Sequence, residues 1–372
     1  MKKIIVAIDS FKGCLSSAEI NRIVAQTIKK SHPDYDIIQM TVADGGEGML
    51  DILVKATKSR YVTVQAHDPL MRPIEGRYGI SADGKTAYIE LASVSGLSKI
   101  NKFERNPMVT STYGTGELIN DAIKRGCREF IIGIGDSATN DAATGLLQAL
   151  GFKFLDVDGN VLKQGGFILE KISRIYAPQD NKALNECHFT VACDVNATFY
   201  GKSGAAYIFG PQKGASSEMV ESLDKGLQTF ANIIKDARGI DLSNIEGAGA
   251  AGGTGGGLHA FLGAELKPGV EIILDTLHFN EIIKGAEMII TGEGCADKQT
   301  TMGKVSYGIL QVAKRQNIPV VMIAGQVKDE DLLLKSGFKA VYQVSPDDMP
   351  FAYIMNPEIA KKNIEQLISS VI

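Results

Sequence analysis

Hydrophobic and polar positions at the start of the chain predict a strand, a helix and a second strand in succession. Residues 4–8 are a continuous apolar run of strand length, typical of a strand covered on both faces. Apolar side chains then recur at helical spacing from 20 to 28, just after Ser16 and Glu19, which have the spacing of a capping box. A second strand is predicted at 36–42. This β-α-β order predicts a parallel sheet with helices on its faces.

The last third of the chain repeats this order, whereas the middle has longer polar connections. Two Asp-Gly pairs in the middle, at 83–84 and 158–159, are typical of hairpins. The predicted strands of the middle and the last third are 130–134, 188–193, 288–291, 318–324 and 340–344. The predicted helices are 116–125, 141–150, 216–235, one after Gly303 and one from Pro357.

We therefore expect an α/β protein with a discontinuous domain. Residues 1–66 and 285–372 are predicted to form a Rossmann-like domain with a doubly wound parallel sheet. Residues 67–284 are predicted to form a second α/β domain inserted into it. The longest apolar runs, such as 286–291, fall far short of the roughly 18 residues that span a bilayer.

Charge and cysteine content narrow the functional classes. The 39 basic and 43 acidic side chains give a formal net charge of −4, which argues against a protein built to bind nucleic acid or anionic membranes. The five cysteines show no metal-ligand spacing, so we expect free thiols in a reducing cytoplasm. Asp9 interrupts the N-terminal apolar run before a secretory signal could form. We expect a cytoplasmic location. The sequence leaves open whether the protein forms a homo-oligomer.

Glycine is in excess, with 40 of 372 residues, against an ordinary usage of about 7%. The densest segment, 247–257, precedes an apolar run at 258–262. A glycine-rich loop that opens a helix suits a phosphate, because free N–H groups and the helix dipole attract an anion. The alternative is a helix that packs closely on a neighbour through its glycines. No strand is predicted before this segment, so we do not expect a Rossmann dinucleotide site there.

Polar loops follow several of the predicted strands. The segments 9–13, 44–48 and 292–294 each combine glycine with a carboxylate or a lysine. In open α/β sheets, ligands bind beyond the carboxyl ends of the strands. Glycine lets backbone N–H groups approach a ligand, while carboxylates can hold Mg²⁺ or accept a hydroxyl proton. Tight turns with solvated acids are the alternative explanation for any one of these segments.

Two further segments contain candidate site residues. The loop 137–141 follows a predicted strand and contains hydroxyl, amide and carboxylate groups. Asp194 and Asn196 follow another apolar run. Asp141 could instead cap the helix that follows it, and Asp194 could cap a helix or stabilise a turn.

Together these segments resemble the type-1 glycerate kinases, in the same order and over nearly the whole chain. The matching segments are 7–13, 43–48, 112–118, 137–141, 192–195, 209–215, 247–253 and 291–294. The resemblance implies transfer of the ATP γ-phosphoryl group to D-glycerate, giving 2-phosphoglycerate and ADP. It also implies a Rossmann-like domain with an inserted α/β domain and an active site in the cleft between them.

The resemblance, combined with the needs of phosphoryl transfer, suggests roles for particular residues. Asp194 and Asp44 are the expected general base and Mg²⁺ ligand, in an order that the sequence does not separate. Lys12 and Lys304 are expected to neutralise a phosphate or the glycerate carboxylate. The backbone at 252–257 is expected to cradle the ATP phosphates. The other candidate residues for binding substrate or nucleotide are Ser10, Gly45, Gly46, Glu47, Ser137, Thr139, Asn140, Asp141, Gly252, Gly253, Gly255, Gly256 and Glu293.

The chain departs from the family pattern at a few positions. Asp136, Ala142 and Ala143 stand where glycine is common, and Cys295 stands where arginine is usual. An arginine could bind a carboxylate or phosphate through two hydrogen bonds, which cysteine cannot do. Three alternatives therefore stay open: a kinase that forms 3-phosphoglycerate, a kinase for another small hydroxy acid, and a non-catalytic ligand-binding relative.

Overall fold

The computed structural model describes residues 2–42, 48–180, 182–346 and 349–372. The predicted site residues Asp44, Gly45, Gly46 and Glu47 lie outside the described residues. The chain divides into two compact units, Met1–Asp44 with Ile273–Ile372 (unit 1) and Gly45–Ile272 (unit 2).

The order of the elements is that of an α/β protein. The strands are β1 (Lys3–Ile8), β2 (Asp36–Gln39), β3 (Arg60–His67), β4 (Pro73–Ile80), β5 (Thr86–Glu90), β6 (Glu129–Gly133), β7 (Lys153–Leu155), β8 (Arg174–Tyr176), β9 (His188–Ala192), β10 (Glu265–Lys267), β11 (Met288–Ala296), β12 (Val320–Val327) and β13 (Ala340–Gln343). The helices are α1 (Ser17–Ser31), α2 (Met49–Ala56), α3 (Ala92–Ser95), α4 (Tyr113–Lys124), α5 (Thr144–Ala149), α6 (Lys182–Asn185), α7 (Ala205–Phe209), α8 (Ser217–Arg238), α9 (Ala250–Leu262), α10 (Gly269–Thr276), α11 (Phe279–Ile282), α12 (Val305–Arg315), α13 (Glu330–Ser336), α14 (Phe351–Ile354) and α15 (Pro357–Val371).

Unit 1 is built on a five-stranded parallel sheet with the order β13-β12-β11-β1-β2. The apolar run that predicted β1 is buried throughout, and α1 and α15 pack on one face of the sheet through residues such as Ile20 and Ile364. The predicted capping box of Ser16 and Glu19 is present at the start of α1. The Rossmann-like parallel sheet that the sequence predicted is thus confirmed.

The strand order of unit 1 reverses direction beside β1. From β1 the chain continues to β2 on one side, whereas β11, β12 and β13 follow on the other side. In such sheets a crevice opens at the carboxyl ends of the two central strands. The register pairs Ile8 with Gly292, which places Asp9 and Glu293 at the same edge of the sheet.

Unit 2 is built on a six-stranded mixed sheet with the order β10-β9-β6-β5-β4-β3. Strands β3, β4 and β5 form an antiparallel meander, and β5, β6, β9 and β10 run parallel. The register aligns Glu90 with Gly133 and Gly133 with Ala192. The chain after β6 and the chain after β9, which contain two of the predicted site segments, therefore begin at the same edge of this sheet.

The units divide at other points than the predicted domain boundaries of 66/67 and 284/285. Strand β3 pairs with β4 from Arg60 opposite Ile80 to His67 opposite Pro73, so it belongs to the sheet of unit 2. Residues 45–66 thus lie in unit 2, and residues 273–284 lie in unit 1. The predicted boundary at 66/67 separates two strands that are neighbours in the chain, because neither β3 nor β4 is among the strands predicted from the sequence.

Candidate functional site

The crevice beside β1 and β11 holds a cavity of about 350 Å³. Four of the predicted site residues line it, namely Ser10, Lys12, Glu293 and Lys304. Its other lining residues are largely apolar and include Phe11, Val305, Val344, Ile354 and Met355. The cavity therefore combines an apolar wall with charges of both signs, from the lysines Lys12 and Lys304 and the acids Asp9 and Glu293. The wall and the lysines suit a ligand that has both an apolar part and an anionic part.

Glu293 and Lys304 form an ion pair at this cavity. Lys304 Nζ donates to Glu293 Oε2 at 2.6 Å, and Thr300 Oγ1 donates to Glu293 Oε1 at 2.8 Å. Burial raises the pKa of the Glu293 carboxyl, while its two hydrogen-bond donors oppose that change. Lys304 Nζ also donates to the carbonyl oxygen of Cys295 at 3.2 Å. Cys295, which stands where the resembled family usually has arginine, also lines the cavity, and the bond to Lys304 uses only its backbone oxygen, which any residue would provide.

Two residues that sequence reasoning missed, Ser17 and Asn21, hold the ends of β1 and β2 in place. Asn21 Oδ1 accepts from Ile8 N at 2.9 Å, and Asn21 Nδ2 donates to Met40 O at 2.7 Å. Ser17 Oγ donates to Ile8 O at 2.6 Å and accepts from Val42 N at 3.2 Å. The available signal was two small polar residues, four apart, on the buried side of α1.

The predicted site loop of unit 2 is deeply buried. Thr139, Asn140 and Asp141 have no exposed surface. Asp141 Oδ2 accepts hydrogen bonds from Thr112 N at 2.8 Å, from Thr112 Oγ1 at 2.9 Å and from Gly145 N at 3.2 Å. Burial raises the pKa of Asp141, and these donors oppose the rise. Helix α5 begins at Thr144 rather than at 141, and the Asp141 carboxylate binds an N–H group of its first turn, as the capping alternative allowed.

Lys213 is a further residue that sequence reasoning missed. It is 2% exposed, and its Nζ donates to Ser137 Oγ at 2.7 Å and to Thr139 O at 2.6 Å. Burial lowers the pKa of Lys213 to about 7, although the nearby Asp141 carboxylate opposes the change. The available signal was a lysine placed between glycines in the segment 209–215. Lys213 therefore anchors the loop 137–141 from a distant part of the chain.

Several polar atoms of this loop have no hydrogen-bond partner within the described part of the chain, although they are buried. They are Thr139 Oγ1, both amide atoms of Asn140 and Asp141 Oδ1. The backbone is also strained nearby, because Asp136, Ala142 and Ala143 have φ of 54°, 50° and 64°. Glycine adopts this left-handed conformation without penalty, which explains why it is common at these three positions in the resembled family. Such strain and unpaired polar atoms are typical of functional sites.

The glycine-rich segment packs against this loop. A Cβ on Gly252 would lie 2.1 Å from Thr139 O, and Ala142 N donates to Gly252 O at 3.0 Å. Gly255 and Gly256 lie inside α9, and a Cβ on Gly256 would lie 2.6 Å from the Phe199 ring. These contacts fit the alternative that the sequence left open, a helix packed closely through glycines. The expected cradle for ATP phosphates at 252–257 stays a prediction.

Asp194 lies just beyond the carboxyl end of β9 and is exposed. Its Oδ1 accepts from Gly269 N at 2.8 Å, at the start of α10. Among the residues that the structure describes, no group of three or more His, Cys, Asp or Glu side chains could hold a metal ion. Mg²⁺ bound to a nucleotide needs only one or two protein carboxylates, so Asp194 is chemically suited to that role. No described helix is long and apolar enough to cross a membrane.

Comparisons with known proteins identify close relatives. Residues 4–372 match the profile of the glycerate kinase family. A protein of Haemophilus influenzae named glycerate kinase is 43% identical over 92% of this chain and 91% of its own length. Glycerate 2-kinase of Escherichia coli is 43% identical over 92% of this chain and 90% of its own length. The crystal structure assigned to glycerate kinase 2 of Salmonella typhimurium LT2 superposes with a TM-score of 0.87 at 40% identity, covering 100% of this chain and 97% of that one.

Proposed function

The chain belongs to the glycerate kinase family and is a kinase with an alcohol acceptor, and from this premise we propose that it transfers the γ-phosphoryl group of ATP to D-glycerate, forming 2-phosphoglycerate and ADP. The observation that carries the proposal is the 43% identity, along nine tenths of both chains, to a relative named glycerate 2-kinase. The same identity favours the 2-hydroxyl as the acceptor. A preference for D-glycerate over other small hydroxy acids is part of the proposal.

We propose that the unit 1 cavity binds the nucleotide. The family implies ATP as the phosphoryl donor, and ATP has an aromatic base and an anionic tail. The apolar wall at Val305, Val344 and Met355 suits the base, while Lys12 and Lys304 supply positive charge for the phosphates. The position also supports this assignment, because nucleotides bind at the reversal point of parallel sheets. Ser10 and Glu293 line the same cavity.

The ion pair explains how Lys304 would act on phosphate. Phosphoryl transfer depends on fixed positive charge near the γ-phosphoryl oxygens, with little rearrangement during the reaction. Glu293 holds the Lys304 ammonium at 2.6 Å, and Thr300 holds Glu293 in turn. Glu293 is therefore a positioning residue, and Lys304 is the group that would contact the nucleotide.

The other proposed roles concern Mg²⁺ binding, proton transfer and the orientation of the ligands. Of Asp44 and Asp194, one would be the ligand of Mg²⁺, which neutralises phosphate charge when bound, and the other would accept the proton of the acceptor hydroxyl. The buried side chains of Ser137, Thr139, Asn140 and Asp141 would orient the ligands from unit 2; their support is the unpaired atoms and the strained backbone described above. A phosphate cradle at Gly252, Gly253, Gly255 and Gly256 would use N–H groups other than those of Gly253 and Gly256, which donate to Gly249 O and Ala248 O.

The proposal is tested by ADP release from purified protein with ATP and Mg²⁺. D-glycerate, L-glycerate, glycolate and lactate are compared as acceptors. We expect turnover with D-glycerate far above that with the other acids. A clear preference for another acid would favour the alternative hydroxy acid kinase, and no turnover with any acid would favour the non-catalytic relative.

A pair of lysine variants tests the proposed nucleotide site. We expect Lys304→Met to lower kcat by about 100-fold, as is typical when a charge that stabilises a transition state is removed. The matched control is Lys298→Met, because Lys298 is exposed and does not line the cavity. Equal activity of the two variants would contradict the role of Lys304.

A further inference from the structure

Unit 2 contains a second cavity, of about 750 Å³, which the roles above do not use. It lies where β5 ends, since Glu90 lines it, and Asp136 lines it beside the loop 137–141. Gly48, the last residue of the predicted site segment 44–48, lines it as well. The cavity therefore adjoins two of the segments that the sequence marked as site loops.

Two buried polar atoms at this cavity have no hydrogen-bond partner among the described residues. They are Arg105 Nε and Ser93 Oγ, and both residues line the cavity. Among the described residues, the Arg105 guanidinium makes one long hydrogen bond, from Nη1 to Gln212 O at 3.4 Å. A buried donor without an acceptor destabilises the folded protein, and a side-chain rotation that turns either atom into the cavity would let a ligand oxygen remove that penalty. The unpaired guanidinium N–H group therefore points to an anionic ligand.

The backbone of Arg105 is held by the same turn that anchors the site loop. Gly214 has φ of +92°, and a Cβ there would lie 2.3 Å from Arg105 O. The preceding residue, Lys213, bonds to Ser137 and Thr139. One tight turn thus fixes Arg105 and the loop 137–141 relative to each other.

The charges around the cavity favour one class of anion. Its cations are Arg77, Lys99 and Arg105, and its acids are Asp51, Glu75, Glu90 and Asp136. Arg77 is committed to Asp51 at 3.0 Å. Two cations and three acids remain, so a triphosphate would meet net negative charge here, whereas the two lysines and two acids of the unit 1 cavity balance. A hydroxy acid fits better, because a guanidinium binds its carboxylate while the protein carboxylates accept hydrogen bonds from its hydroxyl groups.

On the basis of the proposed function, we propose that this cavity is the acceptor site, where Arg105 binds the carboxylate of D-glycerate and Ser93 donates a second hydrogen bond to it. The Arg105 guanidinium supplies charge and two parallel donors, which makes a carboxylate preferable to a neutral group. Arg105 thus sets the specificity for an acid rather than for a neutral polyol.

The experiment measures KM for D-glycerate and for ATP separately, together with D-glycerate binding by isothermal titration calorimetry. The variants are Arg105→Met, Arg105→Lys and Ser93→Ala, and the control is Arg125→Met, which removes a surface charge that pairs with Asp121 outside the cavity. We expect Arg105→Met to raise KM and Kd for D-glycerate about 10- to 100-fold and to change KM for ATP less than about threefold. Arg105→Lys should recover part of the loss.

The neutral amide of D-glycerate gives a readout that a structural role would not produce. If Arg105 binds the carboxylate, Arg105→Met should weaken binding of the acid far more than binding of the amide. Equal losses for both ligands, a rise in KM for ATP instead, or behaviour equal to that of Arg125→Met would overturn the assignment. If Arg105→Met does not fold, Ser93→Ala carries the test, with an expected rise in Kd of about 3- to 10-fold; an unchanged Kd would overturn it.

The outcomes separate this assignment from the proposed function. If wild-type protein binds D-glycerate through Arg105 but releases no ADP, the kinase proposal fails and the site stands. If wild-type protein turns over D-glycerate and the Arg105 variants match the control, the site fails and the kinase proposal stands.

Discussion

Replacing Lys213 by methionine removes a buried amine while keeping most of the side chain's length. The pKa of Lys213 falls from 10.5 to about 7 on folding, because the ammonium loses its water when it is buried. Between these two values the unfolded chain carries a proton that the folded chain has released. The free energy of unfolding must therefore rise with pH in this window.

The size of this rise follows from the two pKa values. Each pH unit inside the window adds up to about 1.4 kcal/mol to the free energy of unfolding. From pH 7 to 10 the wild-type protein should gain about 4 kcal/mol from Lys213 alone. Lys213→Met lacks this contribution at every pH. It also leaves Thr139 O without the donor that Lys213 provides, which destabilises the variant by about 1–3 kcal/mol at all pH values.

The assay is urea unfolding of both proteins at several pH values from 7 to 10. Far-ultraviolet circular dichroism is the suitable signal, because the chain has no tryptophan. Subtracting the variant from the wild type cancels the other groups that titrate in this range. We expect the difference to shift in favour of the wild type as the pH rises. A difference that is flat from pH 7 to 10 would refute the burial of a largely neutral Lys213.

Two further substitutions test the packing that shapes the sites. Gly252→Ala should destabilise the protein by at least about 3 kcal/mol, because the new Cβ would lie 2.1 Å from Thr139 O. The control, Gly263→Ala, has a similar positive φ but open space around the new Cβ, and it should destabilise the protein by about 1 kcal/mol in the same thermal unfolding experiment. Equal destabilisation by the two variants would contradict the close contact. Asn21→Ala should lower the free energy of unfolding by about 2–4 kcal/mol, because it leaves two buried backbone groups unpaired. The control, Ser31→Ala on the exposed side of α1, should change the free energy of unfolding little. A loss below about 1 kcal/mol for Asn21→Ala would contradict its role.

The sequence contained enough information to predict the sheet of unit 1 and the edge where its ligands should bind. The apolar runs at 4–8 and 288–290 are each continuous, and polar residues follow where each run stops, so the local pattern indicated the sheet edge at which the crevice lies. The pairing of Glu293 with Lys304 was within reach as well, since both were predicted site residues and they lie near each other in the chain.

Other features depend on contacts between distant segments, which local patterns do not specify. Lys213 reaches Ser137 across 76 positions, and nothing in its own segment states where its ammonium lies. The glycines at 252–256 fit a phosphate loop and a tightly packed helix equally well by composition. Only the distance from Gly252 to Thr139 O distinguishes close packing from open backbone. Arg105 was not among the predicted site residues, because the feature that distinguishes it is an unpaired, buried Nε–H group, which a sequence does not display.

Phosphorus NMR of the reaction product tests the central claim most directly. Wild-type protein is incubated with ATP, Mg²⁺ and D-glycerate, and the spectrum is compared with those of authentic 2-phosphoglycerate and 3-phosphoglycerate. We predict that the signal of 2-phosphoglycerate grows in step with ADP. A product signal of 3-phosphoglycerate, or ATP that stays unconsumed in the presence of D-glycerate, would contradict the account.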